Sequence, residues 1–147
     1  MNRVALLDVN FLVALFDAEH VHHEIAHDWF ADNRTLGWAT CPISENGFVR
    51  VLANPSYGPQ FTQASELVDR LRKLCASGHH EFWDDAISLR DERLFNVTQR
   101  YKQLTDIYLL GLAARRRGRL VTFDQRIPLA AVKGATRTAL EVVLATE

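Results

Sequence analysis

The chain is poor in cysteine and carries almost no net charge. Its two cysteines, Cys41 and Cys75, form no framework, so a reduced protein with two small buried thiols is expected. Lysine and arginine together number 17 against 18 acidic residues, a net charge of −1. Overall charge is thereby excluded as a source of nucleic-acid affinity, which must come from local patches or a bound cation. No apolar run approaches the length of a membrane span. Asp8 and Asn10 interrupt the N-terminal apolar stretch that a signal peptide would need. There is no internal repeat and no low-complexity linker. With 147 residues and 48% hydrophobic composition, one domain over residues 1–147 with a real core is expected, in the cytoplasm and off the membrane.

What the chain does have is a set of acids at the ends of apolar runs. Residues 104–124 predict a helix followed by a short buried strand. Thr105 is the expected N-cap, Asp106 lies in the first turn where the helix dipole favours an anion, and Gly118 is the expected stop. Leu120-Val121-Thr122-Phe123 is the strand, closed by Asp124. Residues 3–7 form another such strand, with Asp8 at its end and Asn10 as the expected cap of a short helix. Residues 36–41 predict a strand, and Pro42 opens a helix whose first turn holds Ser44 and Glu45. Strands alternating with helices imply an α/β fold with a parallel sheet, whose carboxyl edge is where ligands bind. Asp8, Glu45, Asp106 and Asp124 are all expected at that edge.

The remaining segments are expected to be structural. Residues 20–33 predict a helix with Val21, Ile25, Ala26, Trp29 and Phe30 on one face. It contains His23-Glu24-Ile25-Ala26-His27, a literal match to the zinc-peptidase signature HExxH. His23, Glu24 and His27 fall away from the apolar stripe and no third ligand follows, so they read as a solvated face, with His22 packed. Residues 61–77 form the cleanest amphipathic helix, through Leu67, Val68, Leu71, Leu74 and Cys75. A short strand is expected within 81–86, a short helix near 89–94, and a helix or turn at 125–132. A weak edge strand near Thr136 and a final short helix at 139–145 complete the pattern. Arg115, Arg116, Arg117 and Arg119 form the only dense basic cluster. They end the helix that Asp106 begins, about 15 Å from the acids along its axis, where they complement the helix C-terminus.

Four gathered carboxylates repel one another unless a cation is present. An oxygen-only set suits Mg²⁺, or Mn²⁺, better than zinc, and such a site suits phosphodiester hydrolysis. Asn10, Thr105 and Thr122 are the candidate hydrogen-bonding groups around it, with Ser44 a weaker one.

The chain resembles PIN-domain ribonucleases, specifically the VapC-type toxins of bacterial VapBC toxin–antitoxin pairs. The resemblance rests on residues 6–10 (Leu-Leu-Asp-Val-Asn), 44–55 (Ser-Glu-Asn-Gly-Phe-Val-Arg-Val-Leu-Ala-Asn-Pro), 104–113 (Leu-Thr-Asp-Ile-Tyr-Leu-Leu-Gly-Leu-Ala) and 120–124 (Leu-Val-Thr-Phe-Asp). These stretches fall in the family's order across nearly the whole chain. The resemblance implies a three-layer α/β/α sandwich around a mostly parallel sheet and Mg²⁺-dependent RNA cleavage. It carries the family's catalytic acids over to Asp8, Glu45, Asp106 and Asp124: Asp8, Asp106 and Asp124 are expected to hold the metal directly or through water, and Glu45 to help position the metal, through water, or the attacking water. It further implies a homodimer and inhibition by a VapB-type antitoxin that inserts a basic residue into the acidic pocket. One departure stands out: many members carry another acid two residues after the last one, where this chain has Arg126. Three rivals are weighed against this. A receiver-like Mg²⁺ domain needs a lysine at a late strand end, and residues 120–124 have none. A dehalogenase-like phosphatase needs an Asp at Asn10. A non-catalytic PIN-like RNA-binding module shares the whole pattern and is separated only by experiment.

Overall fold

In the computed structural model, which describes residues 4–61, 63–97 and 101–144, five parallel strands form one sheet. They are β1 (Ala5–Leu7), β2 (Trp38–Thr40), β3 (His80–Phe82), β4 (Arg119–Thr122) and β5 (Leu140–Val142), in spatial order β3-β2-β1-β4-β5. The helices are α1 (Val9–Phe16), α2 (His23–Asn33), α3 (Pro42–Ala53), α4 (Ala64–Ala76) and α5 (Leu104–Arg115).

Strand alternation divides the core in two. Val4, Leu6 and Leu120 pack with Ile107, Leu109 and Leu110 of α5 on one face. Ala5, Leu7 and Val121 pack on the other with Phe11 and Leu12 of α1, Trp29 of α2, Phe48 of α3 and Leu67 of α4. The result is a three-layer α/β/α sandwich. Helix α1 is held by burial: Phe11 and Leu12 are fully buried, and each contributes roughly 2 kcal/mol of transfer free energy. Pro42 occupies the first turn of α3, and the Ser44 hydroxyl accepts from the Cys41 amide at 2.9 Å.

Several expected boundaries shift, each for a local reason. The first helix is capped by Asp8, not Asn10: the Asp8 carboxylate accepts the Phe11 amide at 2.7 Å. Helix α2 starts at His23, because His20, Val21 and His22 are held in a turn by the His22 amide donating to His20 Nδ1 at 3.0 Å. Helix α5 is capped by Gln103 rather than Thr105, since a single 3-10 turn (Tyr101–Gln103) leads into it. Helix α4 buries Leu67 and Leu71, while Val68 is exposed. No helix forms over 89–94; turns fill that stretch, and Phe95 pairs antiparallel with Val132. The expected C-terminal helix over 139–145 is also absent. A 3-10 turn (Arg137–Ala139) instead leads into β5, which takes the edge place expected near Thr136, and Ala145 lies outside the described residues.

The end of α5 corrects the expectation for Gly118. Arg117, not Gly118, takes the left-handed conformation, with φ of 59°. The Arg117 amide donates to Ala114 O and the Gly118 amide to Ala113 O, closing a Schellman motif. Gly118 is needed for close approach: a Cβ there would lie 2.4 Å from the Val4 carbonyl oxygen and 2.8 Å from the Trp83 ring. Two opposite outcomes are expected in urea unfolding. Gly118→Ala should lose about 2 kcal/mol, whereas Arg117→Gly should be neutral or gain up to about 1 kcal/mol.

Candidate active site

The strand order reverses direction between β1 and β4, so the sheet opens a crevice at their carboxyl ends. Asp8 follows β1 directly and is 1% exposed. Its amide donates to Val121 O of β4 at 3.1 Å, which binds it to the neighbouring strand. Thr122, the last residue of β4, is fully buried. Its hydroxyl hydrogen-bonds the Asp8 carboxylate and accepts the Asp124 amide at 3.0 Å, so one side chain positions two acids. Asp106 enters from the first turn of α5.

These three acids sense one another. Burial and then the charge of Asp106 push the Asp8 carboxyl up to about 7, against hydrogen bonds from Thr122 and the Phe11 amide that favour its ionised form. Burial and the charge of Asp124 push Asp106 up to about 6. Burial acts to raise Asp124 too, but hydrogen bonds and charge from Arg126 outweigh it and hold this acid below the ordinary carboxylate range. Arg126 Nε lies 3.1 Å from Asp124 Oδ1, and the Arg126 amide donates to the same oxygen at 2.8 Å. The charges acting most strongly on Asp8 and Asp106 are carboxylates, not cations.

Glu45 stands apart from this group. Its Oε2 accepts from the Thr40 hydroxyl at 2.7 Å, and that hydroxyl also meets His80 Nε2 at 2.8 Å. Its charge acts on Cys75 and His80 rather than on Asp8. Thr40 ends β2, beside β1, so the Glu45 head group stays on the carboxyl edge but is turned toward β3. Neither Thr40 nor His80 was singled out from sequence. The five-residue spacing of Thr40 and Glu45 across a strand–helix junction is the signal that could have found Thr40. His80 comes from another strand and left no local trace.

Among the described residues, no three His, Cys, Asp or Glu side chains are arranged to enclose a metal ion. The chemistry of the set nevertheless fits a hard divalent cation. It offers oxygen donors only, and the buried Asp8 and half-buried Asp106 stand beside like charge with no offsetting cation among the described residues.

The other singled-out residues divide clearly. Thr122 is in contact with the acids, whereas Thr105 and Asn10 are exposed. Ser44 serves the cap of α3. Within the HExxH match, Glu24 and His27 are exposed as expected, but His23 is half-buried, with Nδ1 2.8 Å from Ala14 O. His22 packs against Phe123, ring centroids 4.8 Å apart. In the basic cluster, Arg116 pairs with Asp84 at 2.6 Å. Arg119 is not at the helix end but inside β4, buried and 2.8 Å from Glu141.

A sheet of this order with acids at its switch point is matched by the PIN domain family model over residues 5–133. The chain belongs to the PIN-domain family, and within it groups with VapC proteins of Mycobacterium tuberculosis. It is 45% identical to Ribonuclease VapC44 over 92% of this chain and 96% of that protein. It is 49% identical to Ribonuclease VapC38 over 82% of this chain and 85% of that protein. It is 39% identical to Ribonuclease VapC39 over 88% and 95%, respectively.

The raised acids fix a pH dependence. Asp8 holds its proton to about 7 in the folded protein, against 3.8 ordinarily. At this acid the folded state therefore binds more protons than the unfolded state between those values, so its contribution to stability is fully present below about pH 4 and is lost as pH rises through about 7. Asp8→Asn keeps an acceptor for the Phe11 amide and removes the buried charge. In EDTA at about pH 8 it should unfold at higher urea, by on the order of 2 kcal/mol, with little change at about pH 4.

Proposed function

We propose that the chain is a Mg²⁺-dependent endoribonuclease and the toxin component of a type II toxin–antitoxin pair, active in the cytoplasm. The observation that carries this is the gathering of Asp8, Asp106 and Asp124 at the β1–β4 crevice, where the charges that act on the buried Asp8 and the half-buried Asp106 are, among the described residues, those of other carboxylates. The names of the VapC44 and VapC38 relatives, both ribonucleases, support RNA as the substrate.

Asp8, Asp106 and Asp124 would hold Mg²⁺, or Mn²⁺, and Glu45 would act through water. When bound, the cation neutralises these acids and stabilises charge developing on the phosphoryl oxygens. The chain's own groups supply position. Thr122 and the Phe11 amide hold Asp8 in one orientation, and Arg126 does the same for Asp124. Glu45, fixed by Thr40 and turned toward β3, would reach the site only through water. A water oxygen bonds to phosphorus as the bond to the 3′ oxygen breaks, and that oxygen takes up a proton. The products are a 5′-phosphate and a 3′-hydroxyl. A VapB-type antitoxin would block the site by offering a basic side chain to the same unneutralised acids, and the working unit is a homodimer.

A non-catalytic RNA-binding module is the second reading, favoured by the absence of a closed three-donor metal site among the described residues. One experiment separates the two: mapping RNA ends after expression, with and without substitution of the acids. Asp8→Asn and Asp106→Asn should each lower cleavage about a hundredfold or more, and Glu45→Gln by less. Unchanged cleavage in both aspartate variants would reject the catalytic assignment. A cyclic 2′,3′-phosphate end would reject water as the nucleophile.

A further inference from the structure

A cleft of about 730 Å³ opens beside the acids, with Asp124 on its border, and the mechanism above leaves most of its lining unused. Its size is that of a small-ligand site. Asn10 of α1, His20 and His22 of the turn before α2, and Phe123, Gln125 and Arg126 after β4 form its walls. Among the described residues, no acid other than Asp124 lines it.

The rings are in contact and anchored: Phe123 is stacked on Phe11, and the histidine rings follow it at a tilt. His20 lies 5.7 Å from His22, His22 4.8 Å from Phe123, and Phe123 4.9 Å from the fully buried Phe11. The column thus runs from the cleft into the core, which fixes its outer rings. The turn carrying the histidines is pinned as well: the His20 amide donates to Asp17 O and the His23 amide to His20 O, each at 3.0 Å. His20 Nδ1 accepts the His22 amide, so in the neutral ring the proton sits on Nε2 as a donor. At the opposite wall the Arg126 side chain is 74% exposed, while its Nε stays on Asp124. A run of half-buried rings, two amides and a largely solvent-exposed guanidinium next to a phosphodiester site have one matching chemistry. Bases stack on such rings whatever their identity, and guanidinium groups bind phosphate.

We infer that this cleft binds an unpaired nucleotide of the RNA adjacent to the scissile phosphate, its base against the His20–His22 rings and its phosphate on Arg126. The inference rests on the ribonuclease reading and adds which side chains would hold the nucleotide; a base held in a duplex could not reach the rings. Asn10 and Gln125 face the base edge and give the site what base preference it has. Arg126, at the position where many family members carry an acid, becomes a substrate-positioning residue.

The test measures binding separately from cleavage. The Asp106→Asn chain, with magnesium chloride present, is titrated against a fluorescent adenosine dodecamer and against a dodecamer of the same length lacking bases. The dodecamer with bases should bind about tenfold more tightly. His22→Ala and His20→Ala should remove most of that difference. His22→Phe, which keeps a ring on Phe123, should retain it, and this separates stacking from a folding defect. Arg126→Ala should weaken both dodecamers alike and reduce the salt dependence by about one ion. Equal binding of the two dodecamers, or a base-dependent difference that survives both histidine-to-alanine changes, overturns the inference. If the unsubstituted chain cuts RNA while these results appear, the cleft assignment falls and the ribonuclease reading stands. If the chain does not cut RNA but the histidines still govern base-dependent binding, the reverse holds.

Discussion

Two carboxylic acids, Asp8 and Asp106, lie at the carboxyl edge of the sheet, and the strongest charges acting on them are negative. Burial raises both, and like charge adds to it, from Asp106 on Asp8 and from Asp124 on Asp106, so the fold carries an electrostatic debt at one point of its surface. The remaining features of that edge follow from managing it. Thr122 donates to Asp8, the α1 N-terminus supplies an amide, and Arg126 holds Asp124 in its ionised form. None of these neutralises Asp8 and Asp106. A divalent cation would, and a basic group from an inhibitory partner could take its place, so one electrostatic feature accounts for both catalysis and its control under the proposed function.

The topology explains why residues so distant in sequence meet. Strands β1 and β4 are neighbours at the point where the chain turns from building one half of the sheet to the other. Whatever follows each strand must emerge into the same crevice. Asp8 and Thr122 do so directly, and α5, packed across the β1–β4 face, brings its first turn to the same edge. The column from Phe11 through Phe123 to the histidines then extends the crevice sideways into a walled cleft.

Much of this was legible in the sequence because it is written locally. An apolar run followed by an acid marks β1 and β4, and Pro42 with Ser44 marks the start of α3. The apolar density of residues 107–113 announces a helix buried on most sides. What was not legible depended on tertiary partners. Leu94 and Phe95 match a helical pattern, yet their burial comes from pairing with the 131–133 segment across an isolated bridge. The apolar pattern of residues 139–145 is equally at home in a helix or an edge strand, and only the free edge of β4 decides for the strand. At the site, the position of Glu45 on the carboxyl edge follows from its place in α3. The direction of its side chain follows from Thr40 and His80, on strands that sequence spacing does not align. Arg126 was visible as a departure from the family pattern, but its pairing with Asp124 was not.

The central claim is that Asp8 and Asp106 await a divalent cation, and calorimetric titration with Mn²⁺ in buffers of different ionisation enthalpy tests it most directly. The account predicts saturable binding to the unsubstituted chain accompanied by proton release near pH 6.5, because the raised carboxyls must ionise to accept the ion. Asp8→Asn should bind more weakly and release fewer protons. Binding that is absent from the unsubstituted chain, or unchanged in affinity and proton release when Asp8 is replaced, would contradict it.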